Sequence, residues 1–279
     1  MNFKILTDSS AEIFLKEASS LLYTNEAEYS LMLGLCTSML SFEGTIHLFR
    51  ISNDGRTTAA AIQTPPHNLI VTQASEKELE LLANHIFDSG LDLPGVVGPT
   101  VSASIFADKW SKMTGKNQKL GMVQKIYEAH NILLPKVKGH LRPALSGDKP
   151  LIAKWLYEFS SESLPEKDKF ELPFANEWAD KAIQAKTAFL WLNGETPVSV
   201  AHTGRPTQNG ISIRAVYTPP EYRQNGYASA VVGSLSLLML KNGYKFCTLY
   251  TDLSNSTSNS IYQKIGYSEV ADSRHFIFS

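Results

Sequence analysis

The sequence has little cysteine and no excess of charge of either sign. Its 279 residues include two cysteines, Cys36 and Cys247, which are too few for a disulfide framework or a thiolate metal site. A reducing, cytoplasmic setting is therefore the default expectation. The 26 basic and 27 acidic residues leave a net charge of -1. This balance argues against a nucleic-acid partner, because nucleic-acid binders usually carry a basic domain.

Long apolar runs and processing signals are also missing. No run approaches the roughly 18 apolar residues that a bilayer-spanning helix requires, so we expect no membrane partner. The first five residues lack a charged segment followed by an apolar one, and we therefore expect no signal peptide. Hydrophobic residues make up 43% and charged residues 19% of the chain, which is ordinary globular composition.

Several motifs of common catalytic and nucleotide-binding sites are absent. The seven histidines show no metal-ligand spacing such as H-E-x-x-H, so we expect no metal. There is no G-x-x-x-x-G-K-[ST] segment, and no G-x-G-x-x-G follows a predicted strand, which argues against Walker-type and dinucleotide sites. The nucleophile elbow G-x-S-x-G of serine hydrolases is missing as well.

Proline and glycine interrupt a short basic stretch at residues 134–140, which predicts a domain boundary. We therefore predict an N-terminal α/β domain, residues 1–137, and a second domain, residues 138–279. In the first domain, Asn53-Asp54-Gly55 predicts a hairpin turn, and Ser75 followed by Glu78 predicts a capping box. Helices are predicted there over residues 11–23, 27–40, 75–88 and 102–114, and strands over 47–51, 58–63 and 68–72.

The second domain has a more regular pattern. Asn193-Gly194 and Asn209-Gly210 separate three extended segments, which predicts an antiparallel meander. Asp148 is placed to cap a helix whose first turn contains Pro150. Strands are predicted over residues 138–144, 188–192, 198–203, 211–217, 246–251, 267–270 and 275–278. Further helices are predicted over residues 174–186 and 257–264, and an apolar helix that follows the strand at 211–217 is predicted to end at about residue 241.

The most informative segment is a polar loop between the strand at 211–217 and the following apolar helix. Pro219 and Pro220 cannot continue a central strand, since both lack a backbone N–H. Gly226 stands at the helix entrance, where the unpaired N–H groups of a first helical turn bind phosphate well. Arg223 adds a cation nearby. The loop is thus either a pyrophosphate cradle or an ordinary strand-to-helix connection.

Two segments carry a family resemblance. Arg223-x-x-Gly226-x-Ala228, entering a helix, resembles the acetyl-CoA signature [RQ]-x-x-G-x-[GA] of the GNAT (Gcn5-related N-acetyltransferase) superfamily. Residues 255–267 resemble the family's N-x-x-[AS]-x-x-[LI]-Y-x-K-x-G-[FY] segment. The resemblance, to two-domain bacterial proteins, implies a mixed and mostly antiparallel α/β (α+β) sheet flanked by helices. One hypothesis for the N-terminal domain is a degenerate GNAT copy, and because it lacks an Arg-x-x-Gly-x-Ala loop we expect it to bind no cofactor.

The resemblance implies an acetyl-CoA-dependent N-acetyltransferase. Tyr262 would be the general acid that protonates the departing CoA thiolate, for which a hydroxyl donor beside the sulfur has a clear physical basis. Alternatively, Tyr262 is a core aromatic. A residue larger than alanine at position 228 would crowd the pyrophosphate. The implied cofactor contacts are Val216, Tyr217, Thr218, Arg223, Gln224, Asn225, Gly226, Tyr227, Ala228, Ser229, Asn255 and Ser258.

The general base and the acceptor stay open. Many relatives place a Glu on the fourth strand, but residues 211–215 hold no acid. A water chain, Glu195 and His202 are the three candidates, and a hydrogen-bonded strand histidine accounts for His202 equally well. Trp178 and Trp191 are core residues or line the acceptor site. The acceptor itself is expected to be a small-molecule or peptide amine.

Three roles compete for the first domain. It could be a degenerate copy of the same fold that shapes the acceptor pocket from one side, or serve mainly as an interaction or dimerisation module. Alternatively, the whole protein is a non-catalytic acyl-CoA-binding sensor. Tyr262 and Asn255 favour the enzyme over the sensor. We expect a monomer or a homodimer.

Overall fold

A mixed sheet of twelve strands runs through the described part of both halves of the chain. The computed structural model describes residues 2–40, 45–164 and 169–279, and of residues 256–258 it describes only the backbone. Most neighbouring strands are antiparallel, and helices cover both faces of the sheet. The predicted fold class is therefore confirmed.

The first half opens with a strand and two helices, continues with a three-stranded meander, and ends with an alternation of helix and strand. Its elements are β1 (Phe3–Thr7), α1 (Ala11–Leu22), α2 (Ser30–Met39), β2 (His47–Asn53), β3 (Arg56–Gln63), β4 (Leu69–Val71), α3 (Glu76–Asp88), β5 (Gly95–Pro99), α4 (Thr100–Thr114) and β6 (Gln118–Ala129).

The second half follows the same order of strands and helices. Its elements are β7 (His140–Pro143), α5 (Lys149–Ser163), α6 (Leu172–Gln184), β8 (Ala188–Asn193), β9 (Thr196–Gly204), β10 (Gly210–Tyr217), α7 (Tyr227–Lys241), β11 (Phe246–Asp252), α8 (Ser256–Lys264) and β12 (Ser268–Phe278). The predicted meander is confirmed as β8, β9 and β10, which pair antiparallel.

The identical element order makes the molecule a structural repeat. The strands lie in the order β1-β2-β3-β4-β5-β12-β6-β11-β10-β9-β8-β7. If β1 to β6 are matched in order with β7 to β12, this order is the same when it is read from either edge of the sheet. The parallel neighbours are equivalent too, since β4 pairs with β5 and β10 with β11. The predicted second, degenerate copy is thus visible as a pseudo-twofold arrangement about the β6–β12 pair.

The last strand of each half is exchanged. β12 pairs with β5 of the first half, and β6 pairs with β11 of the second half. β6 and β12 also pair with each other, from Gln118↔Phe278 to Glu128↔Ser268. The proposed boundary at residue 137 divides the chain, but the sheet contacts cross it, and the division into two domains stays a prediction.

Alternating strand residues build a core on each face of the sheet in both halves, as the period of two along a strand requires. In the second half, Trp191 and Ala201 face α7, while Leu190 and Val200 face α5 and α6. In the first half, Ala61 faces α3 and α4, whereas Ile62 faces α1 and α2. Both halves are therefore three-layered.

Some sequence predictions about elements are wrong. Strands β1, β5 and β6 were not predicted. The two predicted final strands are one strand, β12, because bulges at Glu269/Ala271 and His275/Phe276 bend it without ending it. Asp148 does not cap α5 with its side chain. Its carboxylate instead accepts hydrogen bonds from the Arg142 guanidinium (2.6 and 2.9 Å) and from the Leu145 N–H (2.7 Å).

Candidate functional site

A cleft opens in the second half where β10 and β11 diverge. Their parallel pairing ends after Ser212↔Thr248. Beyond it β10 carries a bulge at Ala215, whose φ of 47° lies in the left-handed region. Such a conformation is uncommon for a residue other than glycine. The resulting cavity has a volume of about 420 Å³, which is within the usual range for small-molecule sites.

The N-terminus of α7 lies at one end of β10 and has unsatisfied donors. Its N-cap is Gly226, with a φ of 78° and no side-chain capping bond. The first-turn N–H groups therefore keep their hydrogen-bonding capacity, and the helix dipole adds a partial positive charge. A Cβ at position 226 would come within 2.9 Å of Val137 Cγ2. Glycine is thus required both for the backbone conformation and for space.

The equivalent position in the first half is built differently. The predicted capping box at α3 is confirmed: Ser75 Oγ accepts from the Glu78 N–H, and Glu78 Oε2 accepts from the Ser75 N–H. Glu78 Oε1 also accepts from the Thr58 hydroxyl. A carboxylate of the protein itself therefore occupies the place where an anion would bind at α7.

The gap between β4 and β5 is also closed. A Cβ at Gly98 would lie 2.6 Å from the carbonyl oxygen of Val71, so the two strands stay in close contact. The cavity at this point measures about 30 Å³, against about 420 Å³ between β10 and β11. Among the described residues, an uncapped helix start next to an open cleft is therefore found in the second half.

The loop before α7 is held by its own side chains. Arg223 donates from Nη2 to Glu162 Oε2 (2.6 Å) and from Nε to the Thr218 carbonyl (2.9 Å). The Tyr217 hydroxyl donates to the other carboxylate oxygen of Glu162 (2.9 Å), and burial raises the pKa of Tyr217. Asn225 Nδ2 donates to the carbonyls of Tyr222 and Arg223. Arg223 thus fastens the loop to α5, a role that the sequence did not suggest.

The other predicted loop residues surround the helix start. Gln224 is exposed with a φ of 64°, and the Tyr227 hydroxyl accepts from Asn193 Nδ2 (3.0 Å). Ala228 and Ser229 stand in the first turn of α7. Thr218 Oγ1 shares a hydrogen bond with Ser199 Oγ (2.9 Å), which also donates to the Tyr217 carbonyl.

The structure brings Val216, Asn255 and Tyr262 together as lining of the cleft. The Tyr262 ring is 8% exposed and packs beside Tyr127 and Tyr267, so it is both a core aromatic and part of the cleft wall. Ser258 lies in α8, and its side chain is outside the described part of the structure.

Asn259 is a positioning residue that the sequence analysis did not single out. Its Nδ2 donates to the carbonyls of Asp252, Leu253 and Asn255 (3.1, 3.3 and 2.9 Å). These bonds fix the turn between β11 and α8, and with it the place of Asn255. The sequence signal that could have identified Asn259 is its position inside the motif at residues 255–267.

The far end of the cleft is aromatic and basic. Trp178 lines it together with the half-buried Arg205 and Arg214. Trp191 does not, because its indole Nε1 donates to the Lys138 carbonyl on the opposite face of the sheet. The first half contributes wall residues from β6. These are Met122 and Gln124, while Phe159 of α5 and Phe170 before α6 add aromatic rings from the second half.

The two side chains considered as a general base occupy different environments. Glu195 is exposed in the β8–β9 turn and does not line the cleft. His202 is 1% exposed, and its Nδ1 donates to the Ala215 carbonyl (3.2 Å). Its Nε2 is buried without a hydrogen-bond partner among the described residues. Burial lowers the pKa of His202 to about 4, and its ring stacks on Trp178.

The buried His202 predicts a loss of stability in mild acid. Between pH 6.5 and 4 the unfolded chain binds a proton at His202 that the folded chain does not, so the free energy of unfolding falls as the pH is lowered. At about 1.4 kcal/mol per tenfold change in proton affinity, the contribution is about 3 kcal/mol. Urea unfolding at a series of pH values measures it.

His202→Gln should flatten this part of the pH profile, whatever its effect on stability at pH 7. The matched control is His67→Gln, since His67 is exposed, and it should keep the wild-type slope. An unchanged slope in His202→Gln would contradict the prediction.

The fold matches solved structures along the whole chain. A GCN5-related N-acetyltransferase from Sphaerobacter thermophilus aligns with a TM-score of 0.65 at 13% identity, covering 99% of this chain and 95% of that one. An acetyltransferase of the GNAT family from Colwellia psychrerythraea aligns with a TM-score of 0.59 at 12% identity, covering 99% and 100%. The chain has the GNAT fold. The fold that the resemblance of the two motifs implied is therefore confirmed.

The repeat within this GNAT fold also has a counterpart. A tandem GNAT protein from the clavulanic acid biosynthesis pathway aligns with a TM-score of 0.53 at 8% identity, covering 100% of this chain and 98% of that one. The family model described as FR47-like protein matches residues 196–277, from β9 to β12. No curated protein matches the chain.

Two further observations concern the described residues, 2–40, 45–164 and 169–279. They contain no group of three or more His, Cys, Asp or Glu side chains arranged to hold a metal ion. No helix among them is both long and apolar enough to cross a bilayer.

Burial raises the pKa of Cys36 and of Cys247 to about 12, so both thiols stay protonated at neutral pH.

Proposed function

We propose that the protein transfers an acetyl group from acetyl-CoA to a primary amine in the cleft between β10 and β11. The observation that carries the proposal is the uncapped start of α7 at Gly226, next to that open cleft. The counterpart helix in the same molecule is closed by Glu78. The same fold thus offers an anion cradle in one copy and fills it with a carboxylate in the other.

The residues present suit acetyl-CoA as the acyl donor. The first-turn N–H groups of α7 would take the pyrophosphate, with Gly226 and Ala228 leaving room for it. The pantetheine arm would enter the gap beyond Ser212↔Thr248, where the main chain of β10 near Val216 has no ladder partner on β11. Asn255 lies on the other side of this gap.

The chemical step is a direct attack. The neutral amine forms a C–N bond to the thioester carbonyl, whose oxygen is polarised by the main chain near Val216. The C–S bond then breaks, and the Tyr262 hydroxyl gives its proton to the leaving thiolate. The amine loses its proton to water in the cleft. The two side chains considered from the sequence do not serve here, because His202 Nε2 is buried and Glu195 does not line the cleft. Tyr262 regains a proton from solvent.

The two halves have different parts in this proposal. Residues 138–279 form the acyl-transfer domain with one acetyl-CoA site. Residues 1–137 form a copy without a cofactor, and β6 supplies the cleft wall at Met122 and Gln124. We propose a cytoplasmic monomer or homodimer acting on a small-molecule or peptide amine.

Calorimetry and turnover together test the function. Acetyl-CoA should bind one site per chain, and a panel of primary amines should give an acetylated product by mass spectrometry. No binding would overturn the proposal. Binding without acetylation of any amine would instead favour the alternative, a non-catalytic acyl-CoA-binding sensor or interaction protein.

A further inference from the structure

Two arginines in the cleft have no acidic partner. Arg205 follows β9, Arg214 lies in β10, and both line the cavity. Among the described residues neither forms an ion pair. The surrounding protein lowers the pKa of both by desolvation, and the charge of Arg205 lowers that of Arg214 further, to about 9. Two like charges in one partly desolvated cleft are unfavourable unless an anion joins them.

The fold makes room for both side chains. A Cβ at Gly34 in α2 would lie 2.4 Å from Arg205 Cβ, and a Cβ at Gly204 would lie 2.9 Å from Arg214 Cδ. A glycine inside a helix costs about 1 kcal/mol relative to alanine, so Gly34 is an unfavourable choice for α2 alone. Arg205 itself has a φ of 49°, a conformation that arginine rarely adopts.

Arg214 is oriented by its neighbours. Its guanidinium lies over the Trp178 ring, 4.7 Å from the centroid. The bulge at Ala215 interrupts the register directly after it, and places Arg214 and Ala215 on the same side of β10. A guanidinium stacked on an aromatic face keeps its N–H edge available for hydrogen bonds. Arg214 thus presents donors to the cleft in a fixed direction.

These arginines are separate from the proposed pyrophosphate site. Thr218, where the loop before α7 begins, is four residues beyond Arg214, which corresponds to at most about 13 Å of extended chain and to less here because of the bulge at Ala215. Arg205 is farther still, because Gly204 pairs with Ser212. The acyl-transfer point near Val216 lies between the two ends. The arginines therefore stand on the acceptor side.

We propose that the acceptor is a small amine bearing a carboxylate, which Arg205 and Arg214 bind while the amine reaches the thioester near Val216. A guanidinium pairs with a carboxylate through two parallel hydrogen bonds, which sets both charge and orientation. The aromatic rings of Phe159, Phe170 and Trp178 would contact the apolar part of such a molecule. This inference rests on the proposed function and narrows its acceptor to amino-acid-like amines.

The test compares matched acceptors. Glycine, leucine and phenylalanine are each assayed beside the corresponding C-terminal amide, with acetyl-CoA as donor. For the wild type, kcat/KM for at least one amino acid should exceed that of its amide by about 100-fold. In Arg214→Gln and in Arg205→Gln the ratio should fall by at least about 10-fold, mainly through a higher KM for the amino acid. Arg214→Lys should recover part of it, because a charge remains.

Controls separate this inference from folding and from the function itself. Arg56→Gln removes an exposed arginine of β3 and should keep the wild-type ratio. Arg205→Met, which keeps most of the side-chain volume without the charge, gives a second variant should Arg205→Gln unfold. Equal rates for acid and amide, an unchanged ratio in the variants, or acetylation of neither amino acids nor their amides while other amines react, would overturn the inference alone. Absence of acetyl-CoA binding would overturn the proposed function.

Discussion

Gly226→Glu is expected to reduce the affinity for acetyl-CoA by at least about 100-fold, equivalent to about 2.8 kcal/mol. The new carboxylate would stand at the start of α7 and accept hydrogen bonds from the first-turn N–H groups. At α3 the corresponding place is closed by the protein's own groups, because Ser75 Oγ accepts from the Glu78 N–H and the Glu78 carboxylate accepts from the Ser75 N–H. It would also repel the pyrophosphate, and any side chain at this position meets Val137. Isothermal titration calorimetry measures the affinity.

Two controls isolate the effect of the charge. Gly226→Gln introduces the same strain and nearly the same volume without the charge, so it should bind more tightly than Gly226→Glu. Gly55→Glu adds the same charge at a glycine of similar conformation, with a φ of 83° and open space around it, and should bind like the wild type. Wild-type affinity in Gly226→Glu would remove the assignment of the anion site.

Tyr262→Phe is expected to lower kcat by about 100-fold with little change in the affinity for acetyl-CoA. The hydroxyl lost is the proposed proton donor to the thiolate, and general acid catalysis typically contributes 10²–10⁴-fold. The ring stays, so its packing against Tyr127 and Tyr267 is preserved. Steady-state kinetics and calorimetry on the same preparation separate the two effects.

Tyr267→Phe is the matched control. Its hydroxyl hydrogen-bonds Ser236 in the core (2.7 Å) and does not line the cleft. Losing it should lower stability by about 1 kcal/mol and leave kcat close to that of the wild type. If Tyr262→Phe retained full kcat, the proton would have to come from another group, and Tyr262 would be left with a packing role.

The second half was largely predictable because its signals are local. Asn-Gly turns mark the meander, and Gly226, Asn255 and Tyr262 stand in the two segments that resemble the GNAT motifs. The structure puts all three around one cleft and its adjoining helix. The capping box formed by Ser75 and Glu78 is equally local. It closes the start of α3, whereas the equivalent start of α7 at Gly226 has no capping side chain.

The exchanged strands could not be predicted, because their neighbours come from the other half. β6 is mostly polar and half-exposed over its first residues, and it lies between β11 and β12. The sequence analysis did not single out Arg205 and Arg214, because their role also depends on residues that are distant in the sequence. An arginine in or after a strand usually faces solvent, and only the packing of Gly34 and Trp178 around these two makes them a site.

The exchange of β6 and β12 has a consequence for biosynthesis. While the chain is being made, the first half has β1 to β5 but lacks β12, so the edge of β5 stays unpaired until residues 268–278 have been synthesised. Unpaired edges promote association with other chains. Because β11 and β12 are synthesised last, the nascent first half carries an unpaired sheet edge for the whole time needed to translate the second half.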